Sequence, residues 1–209
     1  NYDACGAMLA AITHWPKWQN GDWSVIQAEL LRLNEQYEDA LEALEHMRDQ
    51  PPPHITRALC SLDQEDFDGA LASANLALNV PNTDGYNHPV GRPDAVALAI
   101  LAACANHDTN FESAEKYAKE AIVRDAGCAL SRIAMGQALR QLGREDEAAK
   151  VLEEAIKRTP GDPAIISLLI DVLISLGNVE QAESILGNQK DLLIQNNAEV
   201  LRHKLGELI

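Results

Sequence analysis

The sequence predicts an all-α fold built from repeated antiparallel helix pairs. Three observations predict it: a 34-residue recurrence in the second half of the chain, helical spacing of the apolar residues within each period, and glycine or proline where helices must stop. Leu139, Leu142, Gly143, Ala148 and Leu152 return as Leu173, Leu176, Gly177, Ala182 and Leu186, each 34 positions later. One period earlier, Ala105, Ala114, Ala118 and Ala121 occupy the places of Leu139, Ala148, Leu152 and Ala155. Three successive units share one period.

Taken in order, residues 1–20 read as a partial N-terminal helix, with Ala7, Leu9, Ala10 and Ile12 apolar and Trp15-Pro16-Lys17-Trp18 as a turn. A first repeat is expected near 21–50, where Tyr37-Glu38-Asp39-Ala40-Leu41 opens its second helix. Phe67-Asp68-Gly69-Ala70-Leu71 does the same in a second repeat near 51–94. Ala40 to Ala70 spans only 30 residues, so a first helix shortened at Pro51-Pro52-Pro53 is expected. Ala70 to Ala114 spans 44 residues, which implies an insertion over 82–93. That insertion reads as a surface excursion, with a binding loop resting over the concave surface as the alternative.

Repeats near 95–128, 129–162 and 163–196 follow. In the second of these, Leu130, Ile133, Ala134, Ala138 and Leu142 recur at three and four, and Gly143 stops the helix. Glu145, Asp146 and Glu147 place carboxylates at the positive end of the next helix, whose buried stripe is Ala148, Val151, Leu152, Ala155 and Ile156. Pro160-Gly161-Asp162-Pro163 ends the unit, with Asp162 as N-cap and Pro163 at the first helical position. Residues 197–209 are expected to form a capping or truncated repeat helix, and 1–209 to form a single solenoid domain.

The unit at 129 resembles a tetratricopeptide repeat through Met135, Gly136, Leu139, Ala148, Leu152, Ala155 and Pro160, departing only at Arg132. The unit at 163 is similar through Ile166, Leu169, Leu173, Ala182 and Leu186, with Ile170 where a small residue is usual and no closing proline. The unit at 95 is similar through Leu98, Leu101, Ala102, Ala114 and Ala121. This resemblance implies a right-handed α-solenoid whose first helices line a concave groove. By the family's register the lining includes Asn106 and His107, then Ile133, Gln137, Arg140 and Gln141, then Ser167 and Asp171.

A mixed, small and polar lining of this kind implies a non-catalytic scaffold that holds a peptide or helix of a partner protein. The alternative is an architectural subunit of a larger assembly, docking through its ends and edges; Trp15, Trp18 and Leu205–Ile209 would then matter. Trp15, Trp18 and Trp23 otherwise read as a cover for the open end of the stack. Family members that grip a chaperone's C-terminal carboxylate use Lys with Asn, and Lys with Arg, four residues apart. The corresponding pairs here are Val25 and Glu29, Ala99 and Ala103, Ile133 and Gln137, and Ser167 and Asp171, so carboxylate-clamp binding is not expected.

Composition restricts the remaining classes. Of 209 residues, 46% are hydrophobic and 23% charged, and 32 acidic against 17 basic residues give a net charge of −15. Phosphate would be repelled, so neither nucleic acid nor an anionic lipid surface is an expected partner. Residues 21–50 carry −6, so a basic partner would feel the front of the chain most. No apolar run reaches the roughly 20 residues that span a bilayer. Cys5, Cys60, Cys104 and Cys128 are dispersed and read as small, partly buried thiols in a reducing, cytoplasmic setting. The opening at Asn1 without methionine reads as a fragment or a processed chain. No phosphate loop, HExxH or GxSxG motif is present, and the six histidines lack ligand spacing. No catalytic residue, metal or cofactor is expected.

Overall fold

The computed structural model describes residues 20–47, 49–81, 88–159 and 161–189. Residues 1–19 of the expected N-terminal helix with its Trp15–Trp18 turn and Cys5, residues 82–87 of the insertion, Pro160 and the terminal helix over 197–209 lie outside the described residues.

Ten helices are described. They are α1 (Asn20–Leu33), α2 (Tyr37–Glu42), α3 (Pro51–Asp63), α4 (Phe67–Asn79), α5 (Pro93–His107), α6 (Phe111–Arg124), α7 (Ala129–Gln141), α8 (Glu145–Arg158), α9 (Pro163–Ser175) and α10 (Val179–Gln189). Among the described residues the one β-type pairing is an isolated bridge between His88 and Gly91. The chain divides into two compact units, residues 1–93 and residues 94–209. No described helix is long and apolar enough to cross a membrane.

Within each pair the two helices are joined by a three-residue turn of one design. Its middle residue is left-handed: Glu35 (φ 63°), Glu65 (59°), Thr109 (59°), Gly143 (71°) and Gly177 (76°). The amide after it reaches back to close the helix, as in Gln36 N to Leu31 O (2.9 Å), Asn110 N to Ala105 O (2.8 Å) and Arg144 N to Leu139 O (2.9 Å). This bond satisfies a carbonyl that the helix end would otherwise leave unpaired. The third turn residue then caps the next helix where its side chain can accept. Asp66 accepts from the Gly69 amide at 3.0 Å, and Asn110 from the Ser113 amide at 3.3 Å.

Glycine adopts the left-handed conformation without cost, whereas a β-branched residue is strained there. Thr109→Gly is therefore expected to stabilise the chain by about 1 kcal/mol, read as a higher melting temperature with unchanged helicity. A lower melting temperature would contradict this account of the turn.

The 30-residue spacing has a different origin from the one the sequence suggests. The first helix α3 is full length at 13 residues and begins on Pro51-Pro52-Pro53, whereas the second helix α2 has only 6. Prolines fit a first helical turn, whose N–H groups have no intrahelical acceptor. The residue before a proline is driven to extended backbone, as Gln50 is (φ −143°, ψ 160°), so the chain cannot run helically into Pro51. The preceding helix gives up the length.

Packing follows a column of small residues. Ala40 and Ala70 in the first unit, and Ala114, Ala148 and Ala182 in the second, are all completely buried. In the second unit Leu139, Ala148, Leu152, Ile165, Ile166, Leu169, Ile170, Leu173, Ala182 and Leu186 form one cluster across α7–α10. Ala102, Ala118 and Ala134 continue the core between α5, α6 and α7. In the first unit Val25, Ala28, Ala40, Leu44 and Cys60 make a smaller core. Cys60, Cys104 and Cys128 are buried, and burial pushes the Cys60 thiol up to about 11.

Candidate functional site

In the second unit the first helices α5, α7 and α9 present a row of polar side chains. Asn106, near the end of α5, donates from Nδ2 to the Ala134 carbonyl of α7 at 2.8 Å. The same nitrogen lies 3.5 Å from Gln137 Oε1. One helix on, Arg140 Nη1 of α7 lies 3.9 Å from Asp171 Oδ2 of α9. Both links join the twelfth position of one unit, counted from residues 95 and 129, to the ninth position of the next. The row therefore runs from Asn106 through Gln137 and Arg140 to Asp171.

The other expected lining residues divide. His107, Gln137 and Gln141 are exposed, while Ser167 is half-buried. Ile133 is half-buried and packs against the core cluster of α7–α10, so it presents only a shallow apolar edge. Arg132, the departure from the repeat pattern, is buried and donates to the Ala126 carbonyl, bracing the loop before α7.

The first unit carries a polar cluster that sequence reasoning missed. Glu29 of α1 is only 3% exposed, and its Oε2 accepts from Arg32 Nε at 3.0 Å. Arg32 also pairs with Asp63, tying α1 to α3. His88, contributed by the insertion, is likewise 3% exposed. Its Nε2 lies 2.9 Å from Thr56 Oγ1 of α3 and 3.3 Å from Glu29 Oε1. The Val90 amide donates to His88 Nδ1 at 3.3 Å, so the hydrogen-bond network places the ring proton on Nε2. Burial would raise the Glu29 carboxyl, but the nearby His88 Nε2–H and the Arg32 guanidinium outweigh it and hold the group below its ordinary value of 4.5. The signal available in sequence was weak: Glu29 and Arg32 stand at the ninth and twelfth positions, as Gln137 and Arg140 do, but nothing local points to His88.

The family models decide the architecture. Two models described as tetratricopeptide repeat match, one over residues 108–163 and one over residues 139–191. Residues 108–191 carry tetratricopeptide repeats. The fold of solved tetratricopeptide-repeat structures agrees. A thermophilic tetratricopeptide-repeat protein of Thermus thermophilus is 18% identical, with 88% of this chain and 96% of that chain covered and a TM-score of 0.68. PilF of Pseudomonas aeruginosa is 17% identical over 91% of this chain and 86% of its own, with a TM-score of 0.61. YrrB, described as a tetratricopeptide-repeat protein with an unusual peptide-binding site, is 18% identical over 86% of this chain and 90% of its own, with a TM-score of 0.53. At these identities the likeness concerns the fold. No curated protein sequence matches the chain significantly. These repeats are helix pairs, an architecture that serves protein–protein interaction.

Proposed function

We propose that the chain is a non-catalytic scaffold that holds a peptide or helix of a partner protein on the lining of α5, α7 and α9. The observation that carries this reading is the row from Asn106 to Asp171, in which polar side chains of successive first helices reach one another. Gln137 and Gln141 are exposed amides that can both donate to and accept from an extended peptide backbone. Arg140 and Asp171 add one charge of each sign, and Ile133 adds a shallow apolar edge. The peptide-binding site named for YrrB supports peptide binding on this fold.

Replacing Gln137 and Arg140 together with Ala is expected to weaken a partner recovered by affinity capture by at least about tenfold, or 1.4 kcal/mol. Folding stability is expected to move by no more than about 0.5 kcal/mol, because solvated polar groups and exposed ion pairs contribute little to it. Trp15→Ala with Trp18→Ala is expected to leave the same partner bound. The reverse pattern would reject the groove and favour assembly through the ends of the array.

A further inference from the structure

The lining of α1 and α3 differs from that of α7 and α9. The fifth and ninth positions of α1 and α3, Val25, Glu29, Ile55 and Leu59, are all buried. In α7 and α9 the same positions, Ile133, Gln137, Ser167 and Asp171, are half-buried or exposed. A segment that no repeat requires reaches this stretch. His88 reaches Glu29 on α1 and Thr56 on α3 with a single ring nitrogen.

The contact has the form of a bound side chain. His88 is 3% exposed, while its neighbours Pro89, Val90 and Arg92 are exposed. One buried imidazole therefore anchors a short turn that closes on itself through reciprocal His88 and Gly91 backbone bonds of 3.1 and 3.0 Å. The receiving groups belong to helices that are complete without it, since α1 and α3 are also tied by Arg32 and Asp63. The match is imperfect as well, because the buried Glu29 Oε1 has no well-formed hydrogen bond. A buried carboxylate in that condition favours any side chain that brings a better-placed N–H donor.

We propose that the His88 turn is a self-ligand of the first unit. It occupies the lining of α1 and α3 as an incoming peptide would, and a partner peptide reaches this stretch only by displacing it with a side chain that presents an N–H donor to Glu29. The proposal rests on the reading of the first helices as a partner surface, and extends it to a stretch that the chain itself keeps filled. The partner chemistry that fits is a peptide carrying His, Lys or Arg at the docking position, set against an acidic first repeat.

The test uses the chain's own segment as the probe. Residues 82–92 are replaced by a Gly-Ser linker of equal length, and a synthetic peptide of residues 82–93 is titrated in by NMR up to millimolar concentration, the effective concentration that a short tether supplies. The peptide is expected to bind the linker variant and to bind the parent at least tenfold more weakly. His88→Ala in the peptide, or Glu29→Gln in the linker variant, is expected to lower affinity at least tenfold. A linker variant with the parent's helicity that does not bind, or binding indifferent to both substitutions, overturns the proposal. A linker variant that loses helicity overturns it too, because the turn is then part of the core. In the intact chain His88→Ala is expected to speed hydrogen exchange at the Val90 and Gly91 amides at least tenfold while α1 and α3 keep their protection. Unchanged exchange at the turn, or loss of protection in the helices as well, contradicts it. Neither arm uses a partner or the second unit's lining, so its failure is distinguishable from failure of the scaffold reading.

Discussion

Ala148→Glu is expected to destabilise the second unit by at least about 4 kcal/mol, enough to abolish a cooperative melt near the parent's temperature. Ala148 is completely buried in α8 and shares a cluster with Leu139 of α7 and Leu173 of α9. A glutamate there adds four heavy atoms beyond Cβ to a filled space and buries a carboxylate. The side chains of that cluster are apolar and offer the carboxylate no hydrogen bond. Val123→Glu on the exposed face of α6 provides the control, since Val123 is 81% exposed and its change is expected to be nearly silent. Equal melting temperatures for Ala148→Glu and the parent would show that the packing of α8 is wrongly described.

The second large effect involves a close approach of two helices. A Cβ built on Gly136 of α7 would stand 2.9 Å from Leu152 Cδ2 and 3.0 Å from its Cγ, and Leu152 of α8 is completely buried. Leu152→Ala is expected to cost about 3 kcal/mol through lost burial and the cavity left behind. Gly136→Ala is expected to cost about 1 to 3 kcal/mol, because a buried leucine has little room to yield. The two changes are expected to be strongly non-additive, since the methyl group added at 136 enters space that truncation at 152 vacates. Chemical denaturation of the four chains of this cycle checks it. Strict additivity would show that the contact is not formed.

What was legible in the sequence follows from how local each cause is. Gly143 and Gly177 announce their turns, because glycine is the residue that adopts positive φ without strain. Glu35, Glu65 and Thr109 occupy the same place in the other three turns, yet residue type alone does not mark them. Packing and the closing backbone bond impose their conformation. The buried alanine column was legible for the same reason as the glycines: only a small side chain fits between the paired helices. The short α2 was not, since Pro51-Pro52-Pro53 looks like damage to the helix that contains it. In fact it constrains the residue before it.

The polar groups show the same division. Asn106, Gln137, Arg140 and Asp171 follow from register alone, because each lies at a fixed position of a first helix. The Glu29, Thr56 and His88 cluster joins α1, α3 and a non-repeating insertion. No periodicity reaches across to an insertion, and a histidine among turn formers gives no sign that its ring is buried.

The most direct test of the partner surface is site-specific photo-crosslinking in the full chain. A photoreactive residue is placed at Gln137 on the lining of α7 or at Val123 on the outer face of α6, and crosslinks to a partner recovered by affinity capture are compared. Both sites are exposed, so yield reports proximity rather than access. The account predicts a crosslink from Gln137 that is lost when Arg140 and Asp171 are replaced with Ala, and none from Val123. Efficient crosslinking from Val123 with none from Gln137 would contradict it.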